Sequence, residues 1–281
     1  MSSNSPNITK LIENFRASTE HFVNIAKSPE SPWTTNLNDP TLNDPRKLHN
    51  AYARNLFTCY VSKFADLSAG ILLAVEHSNF LMYALCGRAL IETMAILRYY
   101  IVEEYKPLLD KGPLGQSDLL KLIEIDDRHL RGGSFDWESF VFENYSKLKE
   151  EAVARVGGRP KRPGREPRQV RIGRDCMRSW AKETPVVSSV YDLFCDLVHP
   201  NIGSTFLVAS TTKDGLYFSR FRGKPVGHSI FEQSFPMLVS VTHKEFGKYL
   251  TLLAATVWRD DELSVNDGDN DPVSSTLGKS P

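Results

Sequence analysis

Arg88 and Glu92 stand four residues apart in NFLMYALCGRALIETMAILRYYIVEEY, the stretch from Asn79 to Tyr105 that is apolar on nearly every other side. In a helix the two share one face, one turn apart. A helix that is apolar all round is normally buried, and a buried charge without a partner costs several kcal/mol. The pair is therefore either an internal strut or a site. In a site, Arg88 offers a guanidinium to a phosphate or carboxylate and Glu92 orients it. Arg98 and Tyr99, farther along, are expected to extend the same polar seam.

A second group lies in YDLFCDLVHPN. Asp192, Asp196 and His199 follow at i, i+4 and i+7, so one helix face carries two carboxylates and an imidazole. Such a face suits a metal site, acid–base chemistry or simple solvation. For the two aspartates the solvated face is the preferred reading. His199 differs, because the helix stops there, Pro200 sets the exit and Asn201 and Gly203 form a tight corner. A third group is the run GGRPKRPGREPRQVRIGR from Gly157 to Arg174, a loop with seven basic residues against one acid. Arg159, Arg162, Arg165 and Arg168 are its candidate phosphate contacts, while its lack of aromatics argues against base stacking.

Several chemistries have no signature here. GxGxxG, GxxxxGK[ST], HExxH and GxSxG are absent, and Cys59, Cys86, Cys176 and Cys195 form no CxxC pair. Neither a metal site nor a cofactor is expected. Basic and acidic residues balance at 34 each, which leaves no overall basic field of the kind nucleic-acid binders show. The first residues lack the features of a secretory leader. Arg88, Glu92 and Arg98 interrupt the one candidate membrane span, at a cost of about 2.5–3.5 kcal/mol per central charge. The expectation is a cytoplasmic protein with no membrane segment. His129 reads as a surface residue, and His49 and His243 belong to no constellation.

The elements that must position these groups are mainly helical. Asn7 caps a helix to about Lys27. A loop through two NDP triplets follows, with Trp33 expected to cover the core. Asp44-Pro45 opens a second helix, reaching about Glu76. After the turn His77-Ser78-Asn79 the central helix runs back, so the two form an antiparallel hairpin. Ser68-Ala69-Gly70 offers a surface for close approach, and Pro107, Gly112 and Pro113 end the central helix. Gln116 to Arg131 is a shorter charged helix, and Asp136 caps another to about Val156. A short helix around Cys176–Lys182 precedes the helix opened by Pro185, whose stripe is Val187, Val190, Tyr191, Phe194, Cys195 and Val198. TFLVASTTKDGLYFSRF reads as a β-hairpin near residues 205–222 with a type I′ turn at Asp214-Gly215. A long helix from Ser229 to Trp258 follows, with Pro236 a candidate kink. The fold class is thus mainly α, a helical bundle around a long hairpin with a small β insertion. It forms one domain over residues 1–258 with a flexible basic loop at 157–174 and a disordered acidic tail over 259–281.

GRALIETMAILRYY followed much later by YDLFCDLVHPN resembles a group of all-helical bacterial proteins with an R-x-x-x-E helix and a later helix ending in V-H. That group looks related to the HEPN superfamily (higher eukaryotes and prokaryotes nucleotide-binding). The resemblance covers about Leu56–Tyr105 and Val186–Ser204. It implies binding or cleavage of RNA or nucleotide phosphates, as in metal-independent ribonucleases of toxin and defence systems. By position it carries over Arg88 as phosphate binder, Glu92 as positioner and His199 as acid–base group. The R-x(4–6)-H spacing of ribonuclease members occurs here at Arg16…His21 and Arg222…His228, in peripheral places, so a site would have to be assembled across helices from Arg88 and His199. The other reading is a non-catalytic helical module that binds a partner protein or nucleotide, with the Arg88–Glu92 pair structural; a homodimer is compatible with either.

Overall fold

The computed structural model describes residues 7–27, 44–131, 170–219 and 223–258. The arginines 159, 162, 165 and 168, the helix expected after Asp136, Trp33 and the acidic tail lie outside them. The architecture is mainly α with one small sheet, as the patterns require.

Helix α1 (Ile8–Lys27) starts where Asn7 Oδ1 accepts the amides of Thr9 and Lys10 at 3.1 and 3.3 Å. Helix α2 (Pro45–Glu76) starts where the Asp44 carboxylate accepts Arg46 N at 2.7 Å, with proline in the first turn. Ser78 takes a positive φ of 50° in the reversal that follows. Asn79 then caps α3 (Phe80–Tyr99) by accepting Met82 N. The two helices pack antiparallel, and a Cβ on Gly70 would sit 3.0 Å from Cys86 Sγ, so the small-residue surface is where α3 comes close. By length and apolarity α2 and the continuous helix Phe80–Leu109 could each cross a membrane; here they pack against each other and the rest of the bundle.

Pro107 does not end the central helix. It continues through a π-helical turn (Tyr100–Tyr105) into α4 (Lys106–Leu109), where proline in the opening turn is tolerated. The wider π turn brings residues five apart towards one face. Tyr100 and Tyr105 are accordingly both buried. Helix α5 (Gln116–Arg131) packs on α2 and the π turn. A second π turn (Ile172–Met177) leads into α6 (Arg178–Glu183), so the last residues of the basic run are helical rather than loop.

Helix α7 (Val186–Val198) buries Val187, Val190, Phe194 and Leu197. The expected stripe is rotated: Leu197 is inside, and Tyr191, Cys195 and Val198 lie only part-buried at its border. Helix α8 (Ile202–Leu207) takes the first residues of the expected hairpin, because Asn201 and Ser204 form a capping box there. The sheet is correspondingly smaller. It comprises β1 (Ser210–Thr212), β2 (Gly215–Tyr217) and an unanticipated β3 (Lys224–Pro225), all antiparallel in the order β2-β1-β3. Thr212 pairs with Gly215, so the turn residues are Lys213 and Asp214. Neither has positive φ, which excludes type I′.

The last helix is two: α9 (Val226–Val241) and α10 (His243–Ala254). The break falls at Thr242 (φ −108°, ψ −67°) and not at Pro236, which α9 accommodates. Thr242 Oγ1 donates to Leu238 O at 2.7 Å, and bonding back to its own helix in this way bends it. Aromatic rings join the layers. Phe64 of α2 stacks on Phe246 of α10 at 3.7 Å, and Phe22 of α1 meets both edge-on. Each such buried ring stabilises the bundle by about 1.5–3 kcal/mol.

Candidate functional site

The site begins at Gly87. A Cβ there would lie 2.2 Å from Phe194 Cε1, so glycine lets α7 press its Phe194 ring directly on the α3 backbone. That contact sets the separation of the two helices one residue away from Arg88. Arg88 Nε donates to Glu92 Oε1 at 2.9 Å, and Tyr191 of α7 donates its hydroxyl to the same oxygen at 3.2 Å. The guanidinium's other edge is free of Glu92, and its Nη1 lies 3.5 Å from His199 Nε2. The central helix is not wholly buried here, since the Arg88 and Glu92 side chains retain 29% and 23% exposure. The group is a shallow surface cluster.

His199 owes its position to the corner predicted at Pro200. It caps α7 with extended backbone (φ −71°, ψ 149°), its amide held by Cys195 O at 3.0 Å. Asn201 braces the corner: its Nδ2 donates to Asp196 Oδ1 at 2.5 Å and its Oδ1 accepts Gly203 and Ser204 amides. A Cβ on Gly203 would meet Asp196 Oδ2 at 2.3 Å, so glycine is needed for the carboxylate to fold over the corner. Asp192 and Asp196 are exposed, as a solvated face requires.

The electrostatics favour a charged guanidinium. Burial opposes the Arg88 charge, but the hydrogen bond and negative charge of Glu92 outweigh it and raise the pKa. Burial, with Glu92 and Cys195 close by, also pushes the Tyr191 hydroxyl up, so it stays protonated and donates. The Cys195 thiol is raised mainly by burial and is not poised as a nucleophile. A gap of 3.5 Å between Nη1 and Nε2 is at the limit of a direct hydrogen bond, yet one phosphate oxygen can lie within hydrogen-bonding distance of both. Among the described residues no group of three or more His, Cys, Asp or Glu is arranged to hold a metal ion.

Other sequence expectations resolve differently. Arg98 leaves the seam and turns into the bundle. It is fully buried, its Nη1 donating to Ser179 Oγ at 2.8 Å and its Nη2 lying 2.6 Å from Glu183 Oε1 in an ion pair without hydrogen-bond alignment. Arg16 of the first R-x(4–6)-H spacing is occupied by Glu76 at 2.7 Å; in the second, His228 pairs with Glu232 and Arg222 lies outside the described residues.

A second polar cluster escaped the sequence altogether. His49 and Asp126 are completely buried, and Asp127 and His129 nearly so. His49 Nδ1 lies 2.8 Å from Asp126 Oδ2, Tyr105 donates to Asp126 Oδ1 at 2.8 Å, and His129 bridges Tyr105 and Tyr60 at 3.1 and 2.6 Å. The only signal was Asp126-Asp127-x-His129 on an otherwise amphipathic helix, which also fits a surface. Compared with known proteins, the chain matches no family model, no curated protein and no solved structure.

Proposed function

We propose that Arg88 and His199 form a phosphate site acting on RNA or a nucleotide, in the manner of a metal-independent ribonuclease. The 3.5 Å approach of the two groups carries this reading. Arg88 holds a phosphate oxygen and stabilises charge developing on it, Glu92 and Tyr191 fix the guanidinium, and His199 moves the proton. The basic run 157–174 supplies further backbone contacts through arginines 159, 162, 165 and 168. The test is cleavage of labelled RNA by the purified full-length protein in chelator. Loss of cleavage in His199→Ala with retention in Asp192→Ala supports the assignment. An inactive wild type across diverse RNAs and nucleotides overturns it.

A second reading is a non-catalytic interaction module, favoured by the exposed Leu73, Leu81, Met82 and Leu85 on the hairpin. The two separate on the ion pair. A part-exposed i,i+4 pair contributes only about 0.3–0.5 kcal/mol, too little for a strut. A sharp loss of stability in Arg88→Ala, with no cleavage, favours the module.

A further inference from the structure

The buried cluster under α5 has its proton positions fixed by donor counting. Thr256 Oγ1 donates to Leu253 O at 2.8 Å, so towards His49 Nε2 it offers only lone pairs, as does Thr256 O; both are 3.2 Å away. His49 Nε2 must therefore carry a proton. The 2.8 Å gap between Nδ1 and Asp126 Oδ2 then holds one more proton, shared by a pair that is neutral overall. Tyr105 donates to Asp126 Oδ1, so it accepts from His129 Nδ1, and His129 Nε2 accepts from Tyr60. The chain of donors runs in one direction from Tyr60 to Asp126 with no spare site.

This chain holds the end of the bundle. Thr256 is tied to His49, and the next turn is clamped by Asn50, whose amide donates to Trp258 O and accepts Trp258 N, each at 2.9 Å. The His49 ring meets Trp258 edge-on at 5.2 Å. We propose that the His49–Asp126 pair is a proton-operated latch: one added proton releases Thr256 from α2 and takes the His49 ring off Trp258, while the Asn50 clamp on the Trp258 backbone stays. With a proton on both Oδ2 and Nδ1, two donors face each other across 2.8 Å and the ring must leave, taking its bond to Thr256 O with it. Among the described residues, Tyr105 of the π turn and Asp127 of α5 act on the pair directly; Tyr60 of α2, Tyr100 of the π turn and His129 of α5 lie one step farther out, around Tyr105. His129 does not compete for the proton: burial, then Lys63 and Arg128, hold its pKa far down.

The test is fluorine NMR of the full chain labelled with 5-fluorotryptophan, titrated from pH 8 to 4 with far-ultraviolet circular dichroism alongside. The Trp258 resonance is assigned by its loss in Trp258→Phe. The expected result is a one-proton shift of that resonance while helicity is intact. The shift is absent in His49→Gln, which has no imidazole to expel, and its midpoint changes in Asp126→Asn, where the added proton can go only to the ring. A Trp258 signal that moves only as helicity is lost, or that titrates alike in wild type and variants, overturns the latch. Should the variants not fold, the order of the two wild-type transitions decides.

Discussion

Arg88 Nη1 lies 3.5 Å from His199 Nε2 although 111 residues separate them in the chain. The contact exists because α7 packs on α3 at Gly87 and then stops at His199. Glu92, itself held by the Tyr191 hydroxyl, takes the guanidinium from the far side, leaving one edge and one imidazole nitrogen close together near the surface.

Geometry at that point separates charge from shape. Arg88→Lys keeps the charge but cannot bond Glu92 and a phosphate oxygen from two edges of one planar group. If the proposed phosphate site operates, Arg88→Lys lowers kcat/KM for RNA by about ten-fold or more, the equivalent of at least about 1.4 kcal/mol. Thermal stability changes little, since the pair is part-exposed. Cleavage kinetics and a melting curve on the same preparation check both halves.

Gly87→Ala sets two effects against each other. Helix propensity favours alanine by about 0.8–1 kcal/mol. The new Cβ meets the fully buried Phe194 ring at 2.2 Å, and overpacking of this kind costs about 1–3 kcal/mol. The clash wins, so denaturant midpoints fall. Gly87→Ala with Phe194→Leu recovers part of the loss, which a double-mutant cycle measures.

His243 gives the protein an acid limb. Its ring lies between Phe15 and Phe64 at 4.1 and 4.5 Å, with both nitrogens buried and without hydrogen-bond partners. Burial lowers its pKa from 6.5 to about 3. Above pH 6.5 neither folded nor unfolded chain carries the charge. Between there and about pH 3 the unfolded chain takes up the proton and the folded one does not, so stability falls as pH falls. His243→Phe removes this term and a buried unsatisfied group, raising stability at pH 7 by about 1 kcal/mol. The gain in Tm over wild type should widen from pH 7 to pH 4; a constant difference would exclude the linkage.

Arg98 is a charged strut of the bundle. Buried beside Ser179, Glu183 and Glu103, it ties the central helix to α6. Arg98→Ala leaves the exposed carboxylates of Glu183 and Glu103 solvated but empties a fully buried volume, and a cavity of this kind costs about 2–5 kcal/mol. Arg98→Met fills the volume and loses less. Urea unfolding of the two variants distinguishes charge from packing.

Much of the frame was readable as local chemistry. Asn7, Asp44-Pro45 and Asn79 mark helix starts that the structure reproduces, because caps depend on a side chain and amides two or three residues away. The hairpin expectation lost Thr205 to Leu207 to α8 for the same reason: the Asn201–Ser204 capping box is a stronger local signal than the β-branched run after it. The break at Thr242 was hidden by Pro236, a residue more often blamed for kinks but tolerated here within α9.

By itself the sequence determined the mainly helical class, the antiparallel hairpin, the shared face of Arg88 and Glu92, and the corner that presents His199. These follow from dihedral preferences and spacings of a few residues. Only the tertiary structure decided that His199 closes on Arg88, that Arg98 turns inward, and that His49, Asp126 and His129 are core rather than surface. The reason is physical. A polar side chain in a core is as a rule held by partners for its donors and acceptors, and the partners of His49 lie 77 and 207 residues away. Local spacing places a residue on a face of its helix; whether that face meets water or a matching set of protons is settled by the other helices.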